Sequence, residues 1–258
     1  MEIAVVGGTG VLGAAVTEAL ERRGHSVRVL SRRGPYKVDL HTGAGLVEAL
    51  TGVDAAVDAS NSTKDAPATL IDGTRRLLTA EAEARVGHHV LPSIVGIDRV
   101  PTGYFKAKLE QERIVRDSST SWSILRATQF HQLLDQSFAW LARRGLSPRS
   151  RILLQPIDPR EVAHALAENV EDGPSGVRGE VGGPEILTVS ELARIWSHAT
   201  ERHRLPVPLP LVGRVGRQGR NGALTVPESV GALTFAGWLT QPAGHNLGAM
   251  TAAPQAAR

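Results

Sequence analysis

The stretch Ile3-Ala4-Val5-Val6-Gly7-Gly8-Thr9-Gly10-Val11-Leu12-Gly13 constrains the fold more than any other part of the chain. Four apolar residues run into glycines at positions 7, 10 and 13, and Ala14-Ala15-Val16 and Ala19-Leu20 continue at helical spacing. The pattern predicts a strand, a tight turn and a helix. Each glycine has a separate physical reason. Gly7 lets the chain turn sharply on leaving the strand, Gly10 has no Cβ to hold a diphosphate away from the backbone amides, and Gly13 lets the helix pack close to the strand. The helix then aims its N-terminal amides and the positive end of its dipole at phosphate. Contacts to a dinucleotide are therefore expected along Gly7, Thr9, Gly10, Val11, Leu12 and Gly13.

The next strand, His25–Leu30, leads into Ser31-Arg32-Arg33. An NAD-binding fold places an acidic residue here to hold the ribose 2′-hydroxyl. This chain has two guanidinium groups instead, which suit a phosphate as charged, bidentate donors. Ser31, Arg32 and Arg33 thus point to NADP(H). Further on, the pattern predicts short strands at Lys37–Leu40 and Asp54–Ser60, with a brief helix, Leu46–Leu50, between them. Ligands of open α/β sheets sit beyond the carboxyl ends of strands, so Ala59 and Ser60 are expected beside the cofactor, and Asp39 and Leu40 at its adenine end. A long helix is expected over Asp65–Arg85 and a fifth strand over His88–Pro92, with Ser93 at its end. Neighbouring His88 and His89 point to opposite faces of a strand and suit packing better than a shared metal, and no metal site is expected. The regular alternation of strands and helices predicts an α/β fold with a doubly wound parallel sheet of Rossmann type.

Tyr104 and Lys108 stand four apart at the start of a helix expected over Phe105–Arg116. That spacing puts both on one helix face. An ammonium near a phenol favours the phenolate and lowers the tyrosine pKa, which suits the group to exchange a proton with a carbonyl or alcohol oxygen. Ser93 is placed to hydrogen-bond the same oxygen. The candidate catalytic residues are Ser93, Tyr104 and Lys108, with Lys108 also holding the cofactor ribose.

Glycines 7, 10 and 13, Ser93 and Tyr104-x-x-x-Lys108, in this order, resemble the short-chain dehydrogenase/reductase superfamily. Ser93–Asp98, Trp122–Phe130 and Pro156–Ala163 are similar to its atypical NmrA-like and isoflavone-reductase-like branch. The resemblance implies an NADP(H)-dependent oxidoreductase that transfers a hydride to or from a small carbonyl compound or secondary alcohol. It also leaves two alternatives. One is a catalytically silent NADP(H) sensor, because some members of the branch have lost catalysis. The other is an enzyme that reduces an activated C=C or C=N bond or catalyses a non-redox rearrangement; many members of the branch lack the tyrosine and rely on the lysine. Ala127 stands where a proline often follows the arginine, near the expected carboxamide contact.

Beyond the sixth strand, Trp122–Arg126, helices are expected over Gln129–Leu141, Asp158–Val170 and Thr188–Thr200, and an extended segment over Leu205–Leu211. Gln129 and Phe130 are the candidate substrate-contacting residues, and residues 127–240 are expected to supply the substrate-covering part of one domain spanning 1–240. Gln241–Arg258, rich in Ala, Gly and Pro without periodicity, reads as a flexible tail. The chain has no cysteine, which excludes disulfides and thiolate metal sites. Its 25 arginines and 4 lysines are scattered and the net charge is only +3, so nucleic acid is not an expected partner. No apolar run approaches a membrane span, and strand residues begin almost at Met1, so a cytoplasmic monomer or homodimer acting on a small molecule is expected.

Overall fold

The computed structural model describes residues 1–100, 102–176, 178–202, 204–209 and 213–241. The first half runs β1 (Glu2–Val6), α1 (Val11–Arg22), β2 (Ser26–Ser31), β3 (Tyr36–Lys37), α2 (Leu46–Leu50), β4 (Ala55–Asp58), α3 (Thr74–Ala84), β5 (His88–Ile94), α4 (Gly103–Arg116) and β6 (Trp122–Ala127). The second half runs α5 (His131–Ala142), β7 (Leu146–Arg149), β8 (Leu153–Leu154), α6 (Pro159–Asp172), β9 (Arg178–Val181), β10 (Leu187–Thr188), α7 (Val189–Ala199), β11 (Leu205–Pro208), α8 (Gly213–Arg220) and α9 (Phe235–Leu239).

Seven strands form one sheet in the order β3-β2-β1-β4-β5-β6-β9, every neighbouring pair parallel. This is the expected doubly wound α/β sheet. A parallel sheet is buried on both faces, which is why β1 reads as a continuous apolar run. Ile3 and Val5 pack on one face with Val16 and Leu20 of α1 and Val162 and Leu166 of α6. Ala4 and Val6 pack on the other with Leu46 and Leu50 of α2 and Leu77 of α3. Strand order reverses between β1 and β4, and the crevice at that switch point lies outside the carboxyl ends of the strands. His88 and His89 do point to opposite faces. His88 Nε2 meets Ser123 Oγ at 2.9 Å, and His89 Nδ1 meets the Glu81 carboxylate at 2.9 Å.

Three parts of the sequence reading need correction. The third strand covers only Tyr36–Lys37, so Asp39 and Leu40 lie in a loop. The helix expected over Asp65–Arg85 is two pieces, a π-helical segment Pro67–Gly73 followed by α3. Gly73 closes the wide segment against the loop, where a Cβ on it would lie 3.2 Å from Leu40 Cβ. The C-terminal half carries strands and helices that escaped detection: β7, β8, β9, β10, α8 and α9. Strands of two to four residues have no usable periodicity and owe their existence to distant pairing partners. β7 pairs with β11 and β8 with β10.

These C-terminal elements share a core of Phe138, Leu192, Trp196, Phe235 and Trp238. Their chain crosses the carboxyl end of the main sheet at Gly96, whose φ is +82° and where a Cβ would lie 2.0 Å from Ala223 O. The side chain of Gln129 donates to Leu224 O at 3.0 Å, and Gln155 braces Gly183 O and the Val226 N–H. The tail residues beyond Gln241, and part of the extended segment expected over Leu205–Leu211, lie outside the described residues.

Candidate cofactor and active site

β1 ends one residue before Gly7, which turns at φ +74° and donates its N–H to Leu30 O at 2.9 Å. A side chain there would meet the segment just after β4: a Cβ would lie 2.9 Å from both Ser60 Cα and Ser60 N. Gly10 N–H returns to Gly7 O at 2.9 Å, and a Cβ on Gly13 would lie 2.3 Å from that same oxygen. Gly13 therefore seats α1 on its own turn. Gly10 differs. It is exposed, and a Cβ on it would meet only Gly7 O, at 3.3 Å, among the described residues. Packing does not require a glycine at this position; only the close approach of a ligand to the backbone would. Among the described residues no side chain caps α1 and no acid stands in its first turn, so the amides and positive dipole of its N-terminus face outward beside exposed Thr9, buried Val11 and half-buried Leu12.

At the end of β2, Ser31 Oγ accepts the Arg33 N–H at 3.3 Å. Arg32 and Arg33 are exposed and make no ion pair among the described residues. Asp39 is engaged locally, its carboxylate accepting the His41 N–H at 2.8 Å. The Leu40 carbonyl accepts Arg76, and its side chain packs against the core on the α2 and α3 face.

At the carboxyl ends of β4 and β5 the buried hydroxyls of Ser60 and Ser93 have no hydrogen-bond partner among the described residues. Ser93 lies inside β5 rather than after it, in register with Arg126. Tyr104 and Lys108 share one face of α4, as expected, but do not engage each other. The Tyr104 hydroxyl donates to Asn61 Oδ1 at 2.9 Å, and burial pushes its pKa up, with the Asn61 bond opposing. Lys108 Nζ is buried and donates to Pro92 O at 2.9 Å and Gln111 Oε1 at 2.7 Å. Burial lowers its pKa to about 8 against the pull of Asp58 and Glu112. The expectation that Lys108 lowers the tyrosine pKa is therefore corrected: the ammonium turns inward to β5 and Gln111, and desolvation governs the phenol.

Ala127 is buried and pairs with Ile94 and Val181. The Gln129 amide engages backbone at both ends, donating to Leu224 O and accepting from the Gln155 N–H, which ties the end of β6 to the C-terminal segment. Phe130 is half-buried and precedes α5. The sequence reading missed Asn61, Asp58 and Gln111, which meet across 43 and 53 positions, Asn61 with Tyr104 and Asp58 with Gln111. It also assigned no partner to Arg126, which grips Glu112 with two bonds of 2.8 and 2.9 Å. One signal was present: Gln111 and Glu112 follow Lys108 by three and four residues, on the same helix face. A groove of about 370 Å³ beside β7 and α7, lined by Arg149, Arg194 and Arg204, includes none of the candidate residues.

The model of the NmrA-like family matches residues 1–210. The chain belongs to the NmrA-like family. A photosystem II assembly factor, Ycf39, from Cyanophora paradoxa is 25% identical to this NmrA-like chain over 175 residues, 57% of the chain and 54% of that protein. The match thus spans about half the length of the curated relative. Among solved structures, an NADPH-dependent quinone oxidoreductase from Escherichia coli, complexed with NADPH, superimposes with a TM-score of 0.77 at 19% identity, over 92% of this chain and 98% of that one. A nucleoside-diphosphate-sugar epimerase from Staphylococcus aureus gives 0.76 at 17%, over 93% and 100%. At these identities the likeness is one of fold. No helix among the described residues is long and apolar enough to cross a membrane.

Proposed function

We propose that this NmrA-like chain is an NADP(H)-dependent oxidoreductase that reduces a small organic carbonyl compound. The observation that carries the reading is the pair of buried, unpartnered hydroxyls, Ser60 and Ser93, at the carboxyl ends of adjacent strands. Buried polar atoms nearly always have partners, and these two lie where a ligand of such a sheet sits. The residues present fit the dinucleotide. The open approach at Gly10 and the uncapped end of α1 suit its diphosphate, and Arg32 and Arg33 suit a 2′-phosphate.

A bound nicotinamide would supply the hydride for the reduction. The chain's own residues supply position and protons. Ser93 offers a hydroxyl to the substrate oxygen. Tyr104, its pKa raised by burial, stays protonated through the neutral range and donates to an oxygen that gains negative charge, which favours the reductive direction. Lys108 has three N–H donors, of which two have partners among the described residues, and the third serves a ribose hydroxyl. Residues 127–240 contribute the substrate-covering part of a single domain, with Phe130 at the pocket wall.

A second reading, reduction of a C=C or C=N bond, is favoured by one observation: the Tyr104 hydroxyl is held by Asn61, apart from Lys108. Calorimetry with NADPH and NADH comes first. A charged hydrogen bond from Arg32 is worth about 1.5–3 kcal/mol, so NADPH should bind roughly 10- to 150-fold tighter than NADH, and Arg32→Ala should remove most of the difference. Equal affinities overturn the NADP(H) assignment. A panel of quinones, ketones, enones and imines follows; tight NADPH binding with no turnover on any of them turns the reading to a sensor.

A further inference from the structure

The site as described leaves one buried carboxylate without a role. Asp58 ends β4 and is 1% exposed. Its Oδ1 accepts the Ser60 N–H at 3.1 Å, and its Oδ2 accepts from Gln111 Nε2 at 3.2 Å. Gln111 is fully buried, donates also to Thr74 Oγ1 at 2.9 Å, and accepts from Lys108 Nζ at 2.7 Å. Charge fixes the way this amide faces. Turned over, it would set its NH2 against the ammonium and its carbonyl against the carboxylate. Ser60 in turn is the residue against which Gly7 is packed. One carboxylate therefore reaches the glycine turn through Ser60 and the α4 lysine through Gln111.

We propose that Asp58 and Gln111 are positioning residues of the cofactor site, which hold the Lys108 ammonium and the Ser60 backbone in register, Asp58 being the counter-charge of Lys108. The proposal rests on the reading of Lys108 and the glycine turn as cofactor contacts. The charged groups acting on Lys108 are Asp58 from β4 and Glu112 from α4, with Pro92 O of β5 as the nearest backbone acceptor. Asp58 itself lies near the Glu81–His89 pair of α3 and β5, whose titration it also affects. An unbalanced ammonium at this depth favours its neutral form. The carboxylate keeps it charged, and the intervening amide keeps it in place.

The test uses the full chain labelled with ¹³Cε-lysine. Lys108 is the buried one among four lysines; Lys37, Lys64 and Lys106 are exposed. An NMR pH titration should place its midpoint near 8 in the parent. In Asp58→Asn the protonation constant should fall by about tenfold or more, the usual effect of losing a close opposite charge. Gln111→Leu, which keeps bulk and removes the bridge, should weaken NADPH binding by about tenfold or more, as loss of a hydrogen bond to a charged group implies. It carries the test alone if Asp58→Asn does not fold. NADPH binding in the parent should weaken as pH passes the Lys108 midpoint, and this break should follow the midpoint in the variants. A merely structural role would lower the melting temperature and leave both midpoints unmoved, which overturns the proposal. A Lys108 midpoint that moves without the NADPH break also overturns it, since the residues then tune the lysine but position nothing. A parent that binds no NADPH overturns the cofactor reading and the positioning role with it, whereas a parent that binds NADPH, with variants whose Lys108 midpoint and NADPH break stay where the parent has them, overturns the positioning role alone.

Discussion

Placing the same methyl group at two glycines three residues apart separates scaffold from ligand contact. At Gly13 an added Cβ would lie 2.3 Å from Gly7 O, 2.7 Å from Gly8 Cα and 2.9 Å from Gly7 C. All three are backbone atoms of one tight turn, so no side chain can swing away to relieve the overlap. Overpacking of this kind costs about 3 kcal/mol or more, and at roughly 2–4 °C per kcal/mol for a chain of this size Gly13→Ala should lower Tm by about 6–12 °C. At Gly10 the one contact among the described residues is Gly7 O at 3.3 Å, and its φ of −81° suits any residue. Gly10→Ala should cost only the modest N-cap preference for glycine, about 0.5–1 kcal/mol, and leave the circular dichroism spectrum unchanged. Its methyl nevertheless stands on the approach to the α1 amides. On the proposed reading it should remove two amide bonds to a diphosphate, at about 1.5–3 kcal/mol each, and weaken NADPH binding by roughly 150-fold or more. Thermal unfolding and calorimetry on the two variants decide the matter. A Gly10→Ala variant that binds NADPH like the parent places the diphosphate elsewhere, and a Gly13→Ala variant with the parent's Tm refutes the packing argument.

Tyr104→Phe should lower turnover by about 10²–10⁴ with little effect on NADPH affinity, if the phenol is the proton donor. The chain has two tyrosines, so in a Tyr36→Phe background phenolate absorbance reads Tyr104 alone and should appear above pH 10; appearance below it would contradict control by burial. Arg126→Met takes both bidentate bonds from the buried Glu112 and should cost about 3–5 kcal/mol, measured by urea unfolding. Glu112→Gln should cost less, because Asp98 and Glu180 remain within 4 Å of Arg126; equal losses would deny these carboxylates any part. Burial lowers the pKa of His88 and of His131 to about 4. Both are neutral in the folded chain while their unfolded counterparts take up a proton below about pH 6.5, so stability should be intact above that pH and fall as pH drops from about 6.5 to 4. His131→Phe should flatten this fall in Tm, and an unchanged slope would assign it to other groups.

The first 130 residues were largely legible because their signals are local. Strand, glycine turn and helix follow one another at β1 and α1, and the apolar runs of β4, β5 and β6 need no partner to be seen. Helices α6 and α7 likewise start where local residues announce them, with Asp158 and Thr188 as their N-caps. The short strands β7 to β10 were not, since each exists only through a partner found elsewhere in the chain.

The candidate site divides in the same way. Sequence alone determined that glycines 7, 10 and 13 form one turn, that a basic pair ends β2, and that Tyr104 and Lys108 share a helix face, because each of these depends on a handful of consecutive residues. It could not determine what those side chains touch. Tyr104 meets Asn61 across 43 positions, Gln111 meets Asp58 across 53, and Gln129 meets Leu224 across 95. Whether a buried lysine tunes a tyrosine or turns inward to an amide and a backbone carbonyl is decided by which groups the fold brings within about 3 Å of it, where hydrogen bonds form. Those distances are set by the packing of α4 against β4 and β5, and only the tertiary structure contains them.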